Sequence, residues 1–186
     1  PAAGGPITLV GMSDSTNFPT STDAYQETKG ALHDAVIAQL SSDGSQLAYA
    51  TYLGADGIDR ACSVRAGTGS ELVLCGYTGS NGFPASTGAY QETLSGGFDA
   101  FVARFDPTLT GAAQLSAATL FGGTLDEGLW GGATVPIEWD MLDLAIDDSG
   151  KVILCGNTVS ENVPTTTGAR QEGFGGQRDL FTARFD

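Results

Sequence analysis

Carboxylates, two tryptophans and three thiols are the side chains of this sequence with chemistry to offer. Asp34, Asp99 and Asp179 each open one phrase: Asp34-Ala-Val-Ile-Ala, Asp99-Ala-Phe-Val-Ala-Arg-Phe and Asp179-Leu-Phe-Thr-Ala-Arg-Phe. Hard carboxylate oxygens suit Ca²⁺, which makes the three a candidate set for a structural calcium ion. Asp equally organises tight turns by accepting bonds from backbone amides, and no EF-hand spacing accompanies these residues. A second candidate is the stretch Glu127-Gly-Leu-Trp-Gly-Gly-Ala-Thr-Val-Pro-Ile-Glu-Trp-Asp-Met141, which holds both tryptophans of the chain. Trp130 and Trp139 with Glu138 and Asp140, and with Asp126 and Glu127 beside them, could form an aromatic and acidic ligand-binding platform for a glycan or a partner protein. The alternative is that the two rings cap an apolar edge.

Cys62, Cys75 and Cys155 lack zinc-ligand spacing and are too few for a disulfide framework. A symmetric hairpin about Gly67-Thr-Gly-Ser70 pairs Ala66 with Glu71, Val64 with Val73 and Cys62 with Cys75. That register makes a Cys62–Cys75 disulfide possible, although a buried thiol also serves as a small hydrophobe. Cys155 would face Leu142 or Asp143 and should remain a thiol. His33 is the only histidine, standing where the other copies have Phe98 and Arg178, and reads as an exposed loop residue. No Ser, His and Asp set suggests itself. Paired loop carboxylates could serve glycoside cleavage.

The elements that must position these residues come from a repeat. Thr8-Leu-Val-Gly-Met-Ser to Gln26, Leu72-Val-Leu-Cys-Gly-Tyr-Thr to Gln91, and Val152-Ile-Leu-Cys-Gly-Asn-Thr to Gln171 share an apolar run, a Gly, a Pro and an Ala-x-Gln at fixed offsets. Such self-similarity identifies a repeat architecture. The apolar runs predict strands at 7–11, 34–40, 46–53, 61–66, 71–76, 99–106, 114–121, 142–147, 151–156 and 179–186, four to a repeat. Asp43-Gly44 marks one of the hairpin turns. Gly11 and Gly76 lie 65 residues apart and Gly76 and Gly156 80, and twelve of the fifteen extra residues fall between Gly122 and Gly156.

Phe101, Ala103 and Phe105 share one face of their strand and Ala100, Val102 and Arg104 the other, so both faces are expected to be covered. Repeating four-stranded antiparallel sheets covered on both sides suggest the radially stacked blades of a β-propeller. The connections after strands two and four of each blade would then share one face, the expected working face. The ten strands amount to about two and a half blades, and repeat units fall near 7–70, 71–150 and 151–186, with the insertion at 127–141, in a single domain. Closure would require the remaining blades of the same protein or other copies of the chain.

The blocks Gly76-Tyr-Thr-Gly-Ser-Asn-Gly-Phe-Pro84, Gly88-Ala-Tyr-Gln91, Gly96-Gly-Phe-Asp-Ala-Phe-Val-Ala103 and Ala50-Thr-Tyr-Leu-Gly54 resemble the bacterial SBBP β-propeller repeat family. The third copy departs at Val163 and Arg170, where the family pattern has Phe and Tyr. The resemblance implies a secreted or cell-surface propeller module, and it carries no catalytic motif onto this chain.

Composition agrees with short strands and many turns: 27 Gly and 7 Pro stand against 8 Lys plus Arg. A formal charge of −14 disfavours nucleic acid, whose phosphates call for clustered Lys and Arg. No apolar run approaches the roughly 20 residues of a membrane helix, so no membrane insertion is expected. The start at Pro1, without a Met, points to a mature product or a fragment. The function expected is a non-enzymatic structural or binding scaffold with a protein or glycan partner. The alternative is a propeller-fold carbohydrate-active enzyme using loop carboxylates.

Overall fold

The computed structural model describes residues 4–128 and 141–186. The strands are β1 (Ile7–Ser13), β2 (Asp34–Leu40), β3 (Leu47–Leu53), β4 (Asp59–Ala66), β5 (Leu72–Thr78), β6 (Asp99–Phe105), β7 (Leu115–Phe121), β8 (Leu142–Ile146), β9 (Val152–Thr158) and β10 (Asp179–Phe185). A 3₁₀ turn, Gly111–Gln114, leads into β7. The chain is all-β, and its strands form three antiparallel sheets ordered β1-β2-β3, β4-β5-β6-β7 and β8-β9-β10. Every strand expected from the apolar runs is present, and the largest differences are two-residue extensions such as β1 to Ser13 and β5 to Thr78.

Alternation along the middle sheet decides what it packs against. Leu72 and Leu74 of β5, with Phe101, Ala103 and Phe105 of β6, join Ile37, Tyr49 and Leu53 of the first sheet in one core. Their neighbours Val73, Cys75, Tyr77, Ala100 and Val102 face the opposite way, into a second core with Leu142 and Leu144 of β8 and Val152 and Leu154 of β9. Two-residue periodicity thus turns one apolar run into two interfaces, each fully buried large side chain contributing about 1.5–3 kcal/mol. Arg104, the polar member of its face, donates to Glu71 at 2.9 Å and to the Gly150 carbonyl at 2.8 Å, tying the middle sheet to the β8–β9 turn.

The sequence repeat and the sheet are out of phase. Repeats begin near Ile7, Leu72 and Val152, but β4, which precedes the second repeat, pairs with β5 and not with β3. Each repeat therefore supplies its last strand to the next sheet. Among the described residues, only β9 pairs with β10 and only β2 pairs with β1, which leaves one edge of each open. Leu180 at 78% exposure and Leu9 at 51% lie on those two edge strands. No described helix is long and apolar enough to cross a membrane.

The register expected for Cys62 and Cys75 is corrected. β4 pairs Ala66 with Leu72, Val64 with Leu74, Ser63 with Cys75 and Ala61 with Gly76, so a bulge at Cys62 takes it out of direct opposition to Cys75. A bulge gives one strand an extra residue, and every pairing beyond it shifts by one. No disulfide joins the two. Cys75 lies in the second core, where burial and, after it, the neighbouring Cys62 push its thiol pKa up. Cys155 stands opposite Asp143, one of its two expected neighbours, and its thiol points to the Asp143 carbonyl at 3.6 Å.

Candidate functional site

The three repeated aspartates share one setting, built by the Ala-x-Gln of their own repeat. After β1 the chain returns along the outer strand and places Gln26 so that its Nε2 donates to Asp34 Oδ2 at 2.6 Å, while the Gly30 amide donates to the same oxygen at 2.8 Å. Gln91 Nε2 and the Ser95 amide do the same for Asp99 Oδ2, at 2.5 and 2.8 Å. Gln171 Nε2 and the Gly175 amide do so for Asp179 Oδ2, at 3.0 and 2.5 Å. In the first two copies the Gln Oε1 also accepts the amide of the strand-ending glycine, Gly54 or Gly122, at 3.0 Å. The glutamine thus clasps the start of one strand to the end of its neighbour.

A second acid meets the first two clasps. Asp59 accepts from Thr78 Oγ1 at 2.5 Å, Ser80 Oγ at 2.7 Å and the Ala55 amide at 2.9 Å. Glu127 accepts from Thr158 Oγ1 at 2.7 Å and the Gly123 amide at 2.9 Å. Asp34 and Asp59 converge on Gly54, and Asp99 and Glu127 on Gly122, where a Cβ would lie 2.9 Å or less from an oxygen of either acid. Asp34, Asp59, Asp99 and Glu127 are all fully buried. The sequence shows the equivalence of Asp59 and Glu127 only through spacing, since each stands five residues after the strand-ending glycine. Glu127 is accordingly corrected from insertion surface to a buried junction residue.

The bonds made at these sites are those of turn organisation. Oδ2 of each repeated aspartate is taken up by N–H donors. A Ca²⁺ ion takes six to eight oxygens, and the groups bonded to these carboxylates are backbone and side-chain amides. Oδ1 of Asp34 and of Asp99 is buried and has no hydrogen-bond partner among the described residues. Asp34, Asp99 and Asp179 lie at equivalent positions in separate sheets rather than around one centre.

Burial dominates the electrostatics of the junctions. It raises the pKa of Asp59, which its hydroxyl donors lower and the Asp34 carboxyl raises further. Burial also raises Asp99 and Glu127, with smaller contributions from Asp126 on Asp99 and from Asp99 on Glu127. A folded-state carboxyl with a raised pKa contributes stability that is present below the unfolded value, near 4, and lost as pH rises through the folded value. Turn acids act in the opposite sense: bonds from Ser41 and Ser45 lower Asp43 to about 2, and bonds from Thr108 and Ser70 lower Asp106, so their contribution is lost only in stronger acid. The negative charge of the whole chain adds self-repulsion as pH rises. The melting midpoint is therefore expected to be higher at pH 5 than at pH 8 by roughly 3 °C, the shift that about 1 kcal/mol produces in a chain of this length. Calorimetry across that range checks the sign, and Asp59→Asn with Glu127→Gln should flatten the profile.

Loops carrying these residues meet on one side of the sheets. The Gly57 amide donates to Ser80 Oγ at 2.7 Å and the Gly82 amide to Asp56 at 3.1 Å. At the next junction the Leu125 amide donates to Ser160 Oγ and the Thr124 amide to Asn162, both at 2.9 Å. The connections after β3 and β5 thus touch, as do those after β7 and β9, as the alternation of strand direction implies. His33 is half-buried rather than exposed, its backbone bridging to Ile58. Trp130, Glu138, Trp139 and Asp140 lie outside the described residues. The two ends of that segment do fall on this side: the Gly128 amide donates to the Asn157 carbonyl and the Met141 amide to the Gly128 carbonyl. Neither a scan against protein-family models nor a search of curated proteins returns a match for the chain.

Proposed function

We propose that this chain is a non-enzymatic segment of a β-propeller, a structural and binding scaffold that joins further blades and presents its loop face to a protein or glycan partner outside the cell. The observation that carries this reading is the use made of the repeated polar residues. Gln26, Asp34, Asp59 and Thr78, and their counterparts Gln91, Asp99, Glu127 and Thr158, bond one another and the backbone at the sheet junctions. Groups committed to junctions in successive copies serve construction, and the strongest patterning in the sequence is accounted for by it. The stacking of a sheet covered on both faces between two three-stranded sheets supports blades of a larger disc. The acidic surface suits a soluble exported protein.

The purified protein, incubated with a panel of polysaccharides, tests the reading through new reducing ends and unsaturated products. No release above buffer is expected. Release in proportion to protein concentration would move the chain to the carbohydrate-active enzymes.

A further inference from the structure

We infer that the third sheet holds a preformed acceptor slot for one antiparallel β-strand, and that its occupant is a strand of the pattern Ala-Thr-x-x-Gly with an apolar residue at each x. A cleft of 710 Å³ lies beside β10, with the loop before it along one side and Tyr90 of the β5–β6 connection and Phe121 of β7 also lining it. Two further copies of this arrangement exist in the chain, and both are filled.

In the first copy β3 lies between β2 and the returning loop. The Ser21 amide donates to the Ala50 carbonyl at 2.8 Å and the Ala50 amide to Ser21 Oγ at 2.9 Å. The Gln26 amide donates to Thr51 Oγ1, the Tyr52 amide to the Gln26 carbonyl and the Gly54 amide to Gln26 Oε1. In the second copy Ser86 and Gln91 make the same five bonds to Ala118, Thr119, Leu120 and Gly122 of β7 and the turn after it. Ala50-Thr51-Tyr52-Leu53-Gly54 and Ala118-Thr119-Leu120-Phe121-Gly122 are therefore two readings of one rule.

Thr166 and Gln171 stand in the third copy where Ser21 and Gln26 stand in the first, five residues apart in each case. The inward half of the clasp is in place there, with Gln171 and the Gly175 amide bonded to Asp179. The outward half, which would hold a strand, has no strand beside it among the described residues. The aromatic wall is set as well. Tyr90 meets Phe185 edge-on at 6.4 Å, as Tyr25 meets Phe105 at 6.1 Å, yet Tyr90 is 64% exposed while Tyr25 is half-buried.

Chemistry at the slot selects its occupant. The register of β6 with β7 sets Thr119 opposite Val102 and Ala118 opposite Ala103, which places the incoming Thr and Ala opposite Thr182 and Ala183. The Thr hydroxyl is needed to accept the Gln171 amide. Glycine is needed at the end, because a Cβ on Gly122 would lie 2.3 Å from Asp99 Oδ1 and one on Gly54 2.8 Å from Asp34 Cγ, and Asp179 occupies the same place here. Adding a strand to an open edge in this way takes its affinity from main-chain bonds and its specificity from alternate side chains.

The inference deepens the scaffold reading and rests on it for its biological sense. Peptide binding accompanied by polysaccharide turnover would count against the scaffold alone, and absence of both against the slot alone. A capped peptide with the sequence of residues 114–122 is titrated into the ¹⁵N-labelled chain. Saturable shifts are expected at 166–171 and 179–185. Peptides carrying Thr119→Val or Gly122→Ala, which leave the protein untouched, should bind at least tenfold more weakly, as should the native peptide to the Gln171→Ala protein. No saturable binding, equal binding of a shuffled peptide, or a chain already dimeric through a closed slot would each overturn the inference.

Discussion

Gly76→Ala is expected to cost about 3 kcal/mol or more and to leave much of the chain insoluble, while Gly11→Ala at the same place in the first repeat leaves the midpoint of unfolding unchanged or slightly raised. Both are the glycine that follows the apolar run of the repeated motif. At Gly76 a Cβ would stand 1.8 Å from the Arg60 carbonyl oxygen and 2.8 Å from a carbon of the Phe101 ring. The first contact is with backbone of the neighbouring strand β4, next to the bulge at Cys62, and so cannot be relieved by a rotamer change. At Gly11 a Cβ would meet nothing within 4 Å, because no described strand covers that edge of β1. Gly156 should fall between them: its nearest contact is the Leu142 side chain at 2.4 Å, which can move, followed by the Met141 carbonyl at 2.9 Å. Urea unfolding of the three variants ranks them, and equal losses at all three would show that the glycine serves its own strand rather than the approach of the next one.

The same contrast explains what could be read from the chain beforehand. Strand positions were legible because the apolar runs are long and the burial alternates, so that Phe101 and Val102 announced two interfaces before any packing was seen. Ten strands, about two and a half four-stranded blades, followed from the repeat, and sheets of three, four and three strands match that count. Pairing register was not legible, because the turn sets Ala66 opposite Leu72 rather than Glu71, which puts Ser63 opposite Cys75, and the bulge at Cys62, which restores the expected register at Ala61–Gly76, carries no marker such as Gly or Pro. Nor were the junction acids. A carboxylate in a Gly-rich loop reads as solvated, and the donors that make burial of Asp59 and Glu127 tolerable, Thr78 and Thr158, are 19 and 31 residues away. The repeated Gln was visible as part of a motif, yet its partners belong to two different strands, so only the fold reveals it as a clasp.

Those clasps differ in burial across the three copies, and the difference sets the second large effect. Gln91→Ala is expected to destabilise the chain by about 2–4 kcal/mol, since it strands two buried groups at about 1–3 kcal/mol each. One is Asp99, fully buried and already carrying an unpartnered Oδ1, which loses the Gln91 donor at 2.5 Å. The other is the Gly122 amide, which loses its acceptor at 3.0 Å. Gln171→Ala removes the same side chain where both it and its loop are exposed, and water can take its place on Asp179. Its cost should stay within about 0.5 kcal/mol, as for an ordinary surface site. Gln91→Glu separates the electrostatic from the packing contribution: it keeps the shape but sets a second carboxylate against Asp99. That variant should be worse than Gln91→Ala at pH 8 and recover at pH 5, where a shared proton replaces the lost N–H donor. Denaturant midpoints at the two pH values decide the matter. A Gln91→Glu protein indifferent to pH would mean that Asp99 does not depend on this donor, and that the clasp holds through its backbone bonds alone.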